Sequence, residues 1–543
     1  MTEWWKEAVI YQIYPRSFFD TSGNGIGDLR GVISKINYIK SLGVDAIWLS
    51  PFFTSPMKDM GYDVSDYTSV DPIFGTMDDF EHLISLVHQN DIKVLIDQVL
   101  SHSSNEHEAF VESQNRDSKK SDWYVWVDPK SDGSPPNNWL SVFGGSAWQY
   151  EPKRNQYYLH NFLPSQPDFN FHNQEVQDFA LAMVKYWLDK GVDGFRLDTV
   201  NYYFHDKELR DNPPSPKQFK YPPTNPYYAQ DQRYSINQKE NLNFLKSFRE
   251  LLDSYEDKTS VGEVGDSHRA IEIMKHYTKD SRLHMAYSFE LLGKNFSSVH
   301  IKKTIDDFFN DNEGSWPCWS FSNHDVIRHL TRWDEHETQD FAKQSCALLL
   351  SLKGTLCLYQ GEELGQTETN LEYEEIIDPP GLKFWPANKG RDGCRTPMVW
   401  KHDSAYGGFS KSKPWLPVKD NQLMKSVDLQ ENDINSTLNF YRNMIGIRKS
   451  NSALSKGKMI FIHDANNVLI YRRNFQGEEV ICAFNFNKKA VSFSLNIEVK
   501  NKILIANCVT ISGDSIKLEE YGFILLHAVE TNEQEIQDSL VYE

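Results

Sequence analysis

Basic residues are in short supply. With 57 Lys and Arg against 76 Asp and Glu the formal charge is −19, and so acidic a chain opposes binding to nucleic acid or anionic membranes, where phosphate contacts need clustered Lys and Arg. Neutral substrates suit it better than phosphorylated ones. No apolar run approaches the ~20 residues needed to span a bilayer, so no membrane contact is expected. The stretch MTEWWKEAVIYQIYPRSFFD lacks the basic segment, apolar core and small-residue cleavage site of a secretory signal, and a cytoplasmic protein is expected. Cysteine is sparse as well. Cys318, Cys346, Cys357, Cys394, Cys482 and Cys508 show no paired metal-type spacing and read as reduced, mostly buried thiols, in keeping with that compartment. There is no fixed-period repeat and no low-complexity tract.

What the chain does carry is acid at the ends of apolar runs. VLIDQVLSH, GFRLDTVN, SVGEVGD and SFSNHD deliver Asp97, Asp198, Glu263 and Asp325, each just after a strand-like stretch. Strands of a parallel barrel aim such rim residues at one point, and the chemistry that most needs converging carboxylates is glycoside cleavage. Eight apolar runs read as strands: 9–14, 46–50, 94–99, 194–198, 260–264, 285–289, 320–323 and 356–359. Segments such as 78–90 and 176–191, apolar at three- and four-residue spacing, read as helices between them. Strand, helix, strand in repetition specifies a parallel sheet. The expected fold class is therefore α/β, a (β/α)8 TIM barrel made of residues 1–100 and 173–457. Residues 101–172 are rich in Asn, Pro, Ser, Gly and Trp and too long for an ordinary loop, so they read as a small domain inserted after strand three. Across 458–543, alternating runs such as VLIYRRNF and EVICAFNF predict a C-terminal antiparallel β domain.

With YQIYPRSF, DQVLSH, QPDFN, GFRLD, GEVGD, NHD and RTPM in that order, the chain resembles the α-amylase family of glycoside hydrolases over nearly its whole length. The resemblance is strongest to the α-glucosidase and oligo-1,6-glucosidase branch. It implies a retaining mechanism with Asp198 as nucleophile, Glu263 as general acid/base and Asp325 as the carboxylate that binds sugar hydroxyls. The plain structural alternative for Asp198 is a helix N-cap. The resemblance also implies that His102 and His324 hydrogen-bond the sugar, that Asp59 clamps the non-reducing glucose, and that Asp97 supports the site. Arg196 lies two residues before Asp198 and faces the same way. Its guanidinium is expected to keep Asp198 ionised, whereas Glu263 needs apolar contact and negative neighbours to hold its proton. Tyr62 offers an aromatic face to a glucose ring. Arg395 is expected to close that pocket and Phe162 to flank it, leaving room for one terminal glucose and not for a polymer.

A second constellation is DTSGNGIGD at 20–28. Asp20, Ser22, Asn24, the Ile26 carbonyl and Asp28 fall on alternate positions with Gly25 at the turn, as in the first nine positions of a calcium-binding EF-hand loop; Gly31 replaces the twelfth-position Glu. A structural Ca2+ or Mg2+ is expected there, and no organic cofactor. Ser101 stands where calcium-dependent amylases carry Asn before the histidine, so the amylase calcium site is expected to be missing. In the branch resembled, Val after the nucleophile accompanies α-1,6 specificity and Ala or Thr accompanies α-1,4. Thr199 therefore implies release of terminal α-D-glucose from short α-1,4-linked glucosides such as maltose, and from sucrose, with poor isomaltose turnover. An oligo-1,6-glucosidase, a sucrose or maltose isomerase, and transglucosylation stay open, because sugar as well as water can capture a covalent intermediate. A phosphodisaccharide hydrolase would need a basic pocket to which the sequence does not point. A dead binding subunit would have lost part of the triad, which is complete here. Residues 203–236, rich in Pro and Tyr, are expected to form an ordered loop beside strand four, where acceptor sugars would lie. An oligosaccharide is the one partner implied, and oligomeric state is left open.

Overall fold

The computed structural model describes residues 3–310, 314–495, 502–528 and 533–542. At its centre lies a parallel sheet of eight strands, Val9–Ile13, Ala46–Leu49, Lys93–Gln98, Gly194–Leu197, Thr259–Val264, Met285–Ser288, Cys318–Trp319 and Thr355–Tyr359. Numbered one to eight along the chain, they lie in the order six, five, four, three, two, one, eight, seven. A parallel bridge from Ala286 to Pro317 brings strand six to strand seven and closes the TIM barrel. Helices cover the outside and side chains fill the inside, so the strands are apolar on both faces. Val94, Leu95, Ile96, Phe195 and Leu197 of strands three and four are all buried.

Helix Met77–His88 starts at a capping box of Thr76 and Asp79, and helix Gln174–Asp189 at Asn173, whose side chain accepts the Glu175 N–H. Trp187 of the second helix is fully buried and donates its indole N–H to the Tyr67 carbonyl at 2.7 Å. Strand seven departs from expectation: it ends at Trp319, and residues 320–323 are irregular. There the Ser320 hydroxyl donates to the Ser322 carbonyl, and Asn323 Oδ1 accepts the Asp325 N–H at 2.9 Å. Such local bonds compete with a ladder, and His324 and Asp325 consequently sit on a turn.

Between strands three and four the chain builds a three-stranded antiparallel sheet from Trp126–Val127, Trp148–Glu151 and Gln156–Leu159. After the barrel, an antiparallel sheet runs from Lys458–His463 to Val541–Tyr542. Barrel helix Gln339–Ser351 anchors it. Gln344 Nε2 donates to the Asn485 carbonyl at 2.7 Å, and buried Arg473 donates to the Ser351 carbonyl at 2.5 Å.

Candidate active site

The strand ends open into a cavity of about 420 Å³ that exposes Asp198, Glu263 and Asp325. Beneath them Arg196 is fully buried. Its Nη1 donates to Asp97 Oδ1 and Asp198 Oδ1, each at 2.7 Å, while Nη2 lies 2.6 Å from Glu263 Oε2. Sheet register explains the convergence. Asp97 pairs with Arg196, and Arg196 with Val261, so two residues further on Asp198 comes level with Glu263 on the same face. The Tyr287 hydroxyl accepts from Arg196 and donates to Glu263 Oε1 at 3.1 Å. Thr199 sits at φ +40° and donates its N–H to Glu263 Oε2 at 3.0 Å and its hydroxyl to Asp198 Oδ2 at 3.2 Å. The short helical turn Val200–Tyr202 has Thr199, not Asp198, at its N-cap.

Burial pushes Asp198 above the usual carboxylate range; Arg196 opposes this, and Asp97 and Asp325 add to it. Arg196 therefore does not hold Asp198 low by itself, because one guanidinium is divided among three buried carboxylates. Burial likewise pushes Glu263 up to about 7, with Asp198 and Asp325 adding to the shift against Arg196. Asp325 goes the other way: burial would raise it, but the Arg391 and Arg395 guanidiniums beside it hold it below the usual range. Two acids able to hold a proton near neutrality beside one that stays ionised can carry out both proton transfer and charge stabilisation.

Asp59, Tyr62, His102, Phe162 and Thr199 also line the cavity. His324 and Arg395 do not. His324 is fully buried behind Tyr62, with Nδ1 2.7 Å from Gln12 Nε2, its ring stacked on Tyr62 and Nε2 against the Tyr62 hydroxyl. Arg395, also fully buried, donates to the His324 carbonyl at 2.7 Å and to Asp325 Oδ1 at 2.9 Å. The arginine that closes the pocket is Arg391, whose Nη2 lies 2.6 Å from Asp59 Oδ1 and 2.7 Å from Asp378 Oδ1. It stands four residues before Arg395, and nothing local tells the two apart. Gln166 was also missed, although it opens the QPDFN motif; its Nε2 lies 3.0 Å from Asp59 Oδ2. From the 203–236 segment, Asn225, Tyr227 and Tyr228 line the cavity. The Tyr227 and Tyr202 hydroxyls meet at 2.8 Å, and Asn225 Nδ2 donates to the Val142 carbonyl at 2.7 Å.

In the 20–28 loop, Asp20 accepts from Ser22, Gly23, Gly25 and Ser410, and Asp28 from Thr21, Ser22 and Gly31. Asn24 Oδ1 accepts the Ile26 N–H at 2.8 Å. The side chains of Asp20, Ser22, Asn24 and Asp28 offer oxygen donors, the type a hard divalent cation takes, and in this structure the two carboxylates accept from N–H and O–H groups of the loop and of Ser410. All six cysteines are free thiols, five of them buried. No helix among the described residues is long and apolar enough to cross a membrane.

Residues 12–457 match the model of the alpha amylase catalytic domain, and residues 459–525 that of the maltogenic amylase C-terminal domain. The chain is 51% identical over 502 residues to a probable alpha-glucosidase of Rhizobium meliloti (strain 1021), covering 91% of each. It is 38% identical over 540 residues to an oligo-1,6-glucosidase of Heyndrickxia coagulans, covering 91% of this chain and 94% of that one. Among solved structures it matches the alpha-glucosyl transfer enzyme XgtA with a TM-score of 0.93 at 47% identity, over 97% of this chain and 100% of that one. Carboxylates converging at the strand ends of a closed barrel, and a family match that runs through all eight strands but the start of the first, lead to one conclusion: the chain belongs to the α-amylase family of glycoside hydrolases.

Proposed function

We propose that the protein is a retaining, exo-acting α-glucosidase that releases terminal α-D-glucose from short α-1,4-linked glucosides such as maltose, and from sucrose, and that passes part of its glucosyl intermediate to sugar acceptors. The observation that carries this reading is the placement of Asp198 and Glu263 on one guanidinium in a cavity walled by the Asp59–Arg391 ion pair. The terminal glucose would set its outer hydroxyls against that pair and its reacting carbon over Asp198. Asp198 attacks the anomeric carbon while Glu263 gives its proton to the departing oxygen. Asp325, ionised beside Arg391 and Arg395, accepts hydrogen bonds from the sugar as positive charge builds on the ring. In the second half the Glu263 carboxylate takes a proton from water, the water oxygen attacks the same carbon, and Asp198 leaves with overall retention. Thr199 supports α-1,4 over α-1,6 linkage within the branch.

Anomeric NMR of the first turnovers on maltose should show α-glucose, lost in Asp198→Ala; initial β-glucose, or a variant as active as the parent, rejects the assignment. A higher kcat/KM for isomaltose than for maltose rejects the linkage. The six free thiols support a cytoplasmic setting. A structural Ca2+ or Mg2+ belongs to the same reading, held by Asp20, Ser22, Asn24, the Ile26 carbonyl and Asp28; it would stiffen the loop and take no part in the reaction. Titration of chelated protein without heat or a melting shift would remove it.

A further inference from the structure

Along the cavity wall, with Ser101 behind it, a row of side chains runs from Asp59 to Asp198. Gln166 Nε2 lies 3.0 Å from Asp59 Oδ2 and 3.2 Å from His102 Nε2; His102 Nδ1 is 2.8 Å from Ser101 Oγ; Ser101 Oγ is 2.9 Å from Thr199 Oγ1, which is 3.2 Å from Asp198 Oδ2. Ser101, His102 and Gln166 are at most 1% exposed, so water is kept from the contacts among them, while Thr199 and Asp198 face the cavity.

The far end dictates which way the hydrogens point. Asp198 must be ionised to act as nucleophile and an ionised carboxylate only accepts, so in the reacting form Thr199 donates to Asp198. Its oxygen then accepts from Ser101, and the Ser101 oxygen accepts from His102 Nδ1–H. That leaves His102 Nε2 as the acceptor that the Gln166 amide needs. Burial holds His102 down to about 4, so its ring carries a single proton near neutrality. The other tautomer would give Nε2–H to the Tyr62 carbonyl, 3.1 Å away, a hydrogen bond that the Nδ1–H form forgoes. That other tautomer would leave the Ser101–Thr199 contact without a hydrogen and set the Gln166 amide against another donor. Thr199 itself is left-handed, φ +40° and ψ +48°, a region that β-branched residues rarely enter. Its conformation is held by its contacts, and Ser101 supplies the one on its side chain from the strand-three side.

We propose that Ser101 is a positioning residue for the reaction: its hydroxyl locks the Thr199 hydroxyl onto Asp198 and so couples the sugar-holding residues Asp59, Gln166 and His102 to the nucleophile. This rests on the glucosidase reading for the role of Asp198. The groups facing Asp198 are Arg196 on its own strand, Asp97 on strand three, Glu263 on strand five, Asp325 on the turn after strand seven, and the phenols of Tyr62, Tyr67 and Tyr203. Of these Arg196 is the one cation with a hydrogen bond to Asp198. Losing the Thr199 donor therefore removes support for the ionised form and moves the acid limb of the rate profile upward in pH.

The test uses Ser101→Ala and Ser101→Thr in the full chain, with kcat and KM followed against pH on maltose, isomaltose and an aryl α-glucoside. Ser101→Ala should lose about tenfold in kcat, roughly the worth of one hydrogen bond to a charged group, with KM changed less than about twofold and the acid limb shifted up. Ser101→Thr should restore both. In a Thr199→Val background Ser101→Ala should change nothing further. An unmoved acid limb, or an equal loss in that background, overturns the proposal. Failure on maltose with turnover of the aryl glucoside counts against the linkage reading alone, and the aryl glucoside still reports the relay. Nitrogen-15 NMR of His102 in the parent protein is a check that needs no variant: a proton on Nδ1 supports the relay, and one on Nε2 refutes it.

Discussion

Arg391→Ala offers the sharpest check on how the pocket is closed. The Arg391 guanidinium meets Asp59, Asp378 and Asp325 at 2.6, 2.7 and 3.4 Å. The three acids do not depend on it equally. Asp325 keeps Arg395 at 2.9 Å, and Asp378 keeps the residue 391 backbone N–H at 2.8 Å. Asp59 is left with the Gln166 amide and two ion-pair-free oxygens in a buried setting, where burial already raises its pKa against the pull of Arg391. Breaking a buried ion pair from one side costs about 3–5 kcal/mol, and each 1.36 kcal/mol is tenfold in rate. If that cost falls on binding of the glucosyl unit, kcat/KM drops by about two to three and a half orders of magnitude. Maltose and an aryl α-glucoside share that unit, so both should lose the same factor. Arg391→Lys should recover only part of it, because a single ammonium cannot span Asp59 and Asp378 as the planar fork does. A loss under tenfold, or a loss that differs more than about threefold between the two substrates, would refute the reasoning.

Other consequences follow from the same geometry. Asp198 must be ionised and Glu263 protonated, and burial raises both, Glu263 to about 7; kcat/KM should trace a narrow bell centred near neutrality, with limbs that belong to the pair, and a broad plateau from pH 5 to 9 would contradict it. A carboxylate whose folded pKa is raised binds its proton more tightly in the native state, so its contribution to stability falls as pH rises from its unfolded to its folded value. Asp198→Asn should accordingly melt higher than the parent at pH 8 and converge with it at about pH 4, the unfolded value of an aspartate, as followed by calorimetry. Tyr227→Phe breaks the hydroxyl contact with Tyr202 at the cavity wall and should alter the yield of transfer products from maltose more than the hydrolysis of an aryl α-glucoside, measured by chromatography. Trp187→Ala empties a fully buried site and strands the Tyr67 carbonyl; a loss of about 3–5 kcal/mol is expected by denaturant unfolding.

The barrel was legible because its signals are local. Short apolar runs ending in acids mark strands one residue at a time, and helix spacing between them follows from a 3.6-residue period. Asp97, Asp198, Glu263 and Asp325 were found that way, and Gly25 with the alternate oxygens of residues 20–28 marks its loop by an equally local pattern. Strand seven slipped, since Ser320 and Asn323 satisfy their neighbours' backbone and spoil a strand that composition alone favours. What only the tertiary structure decided is which side chains share a charge. Arg391 and Asp59 are 332 positions apart, and Arg395, four residues on, turns instead toward Asp325 and the His324 carbonyl. The sum at Asp198, where burial, Asp97 and Asp325 outweigh the Arg196 guanidinium, is likewise a property of packed distances. Periodicity and capping act over a few residues and are written in order along the chain, while ion pairs and buried proton affinities depend on what folding brings within a few ångströms, and no local pattern encodes that.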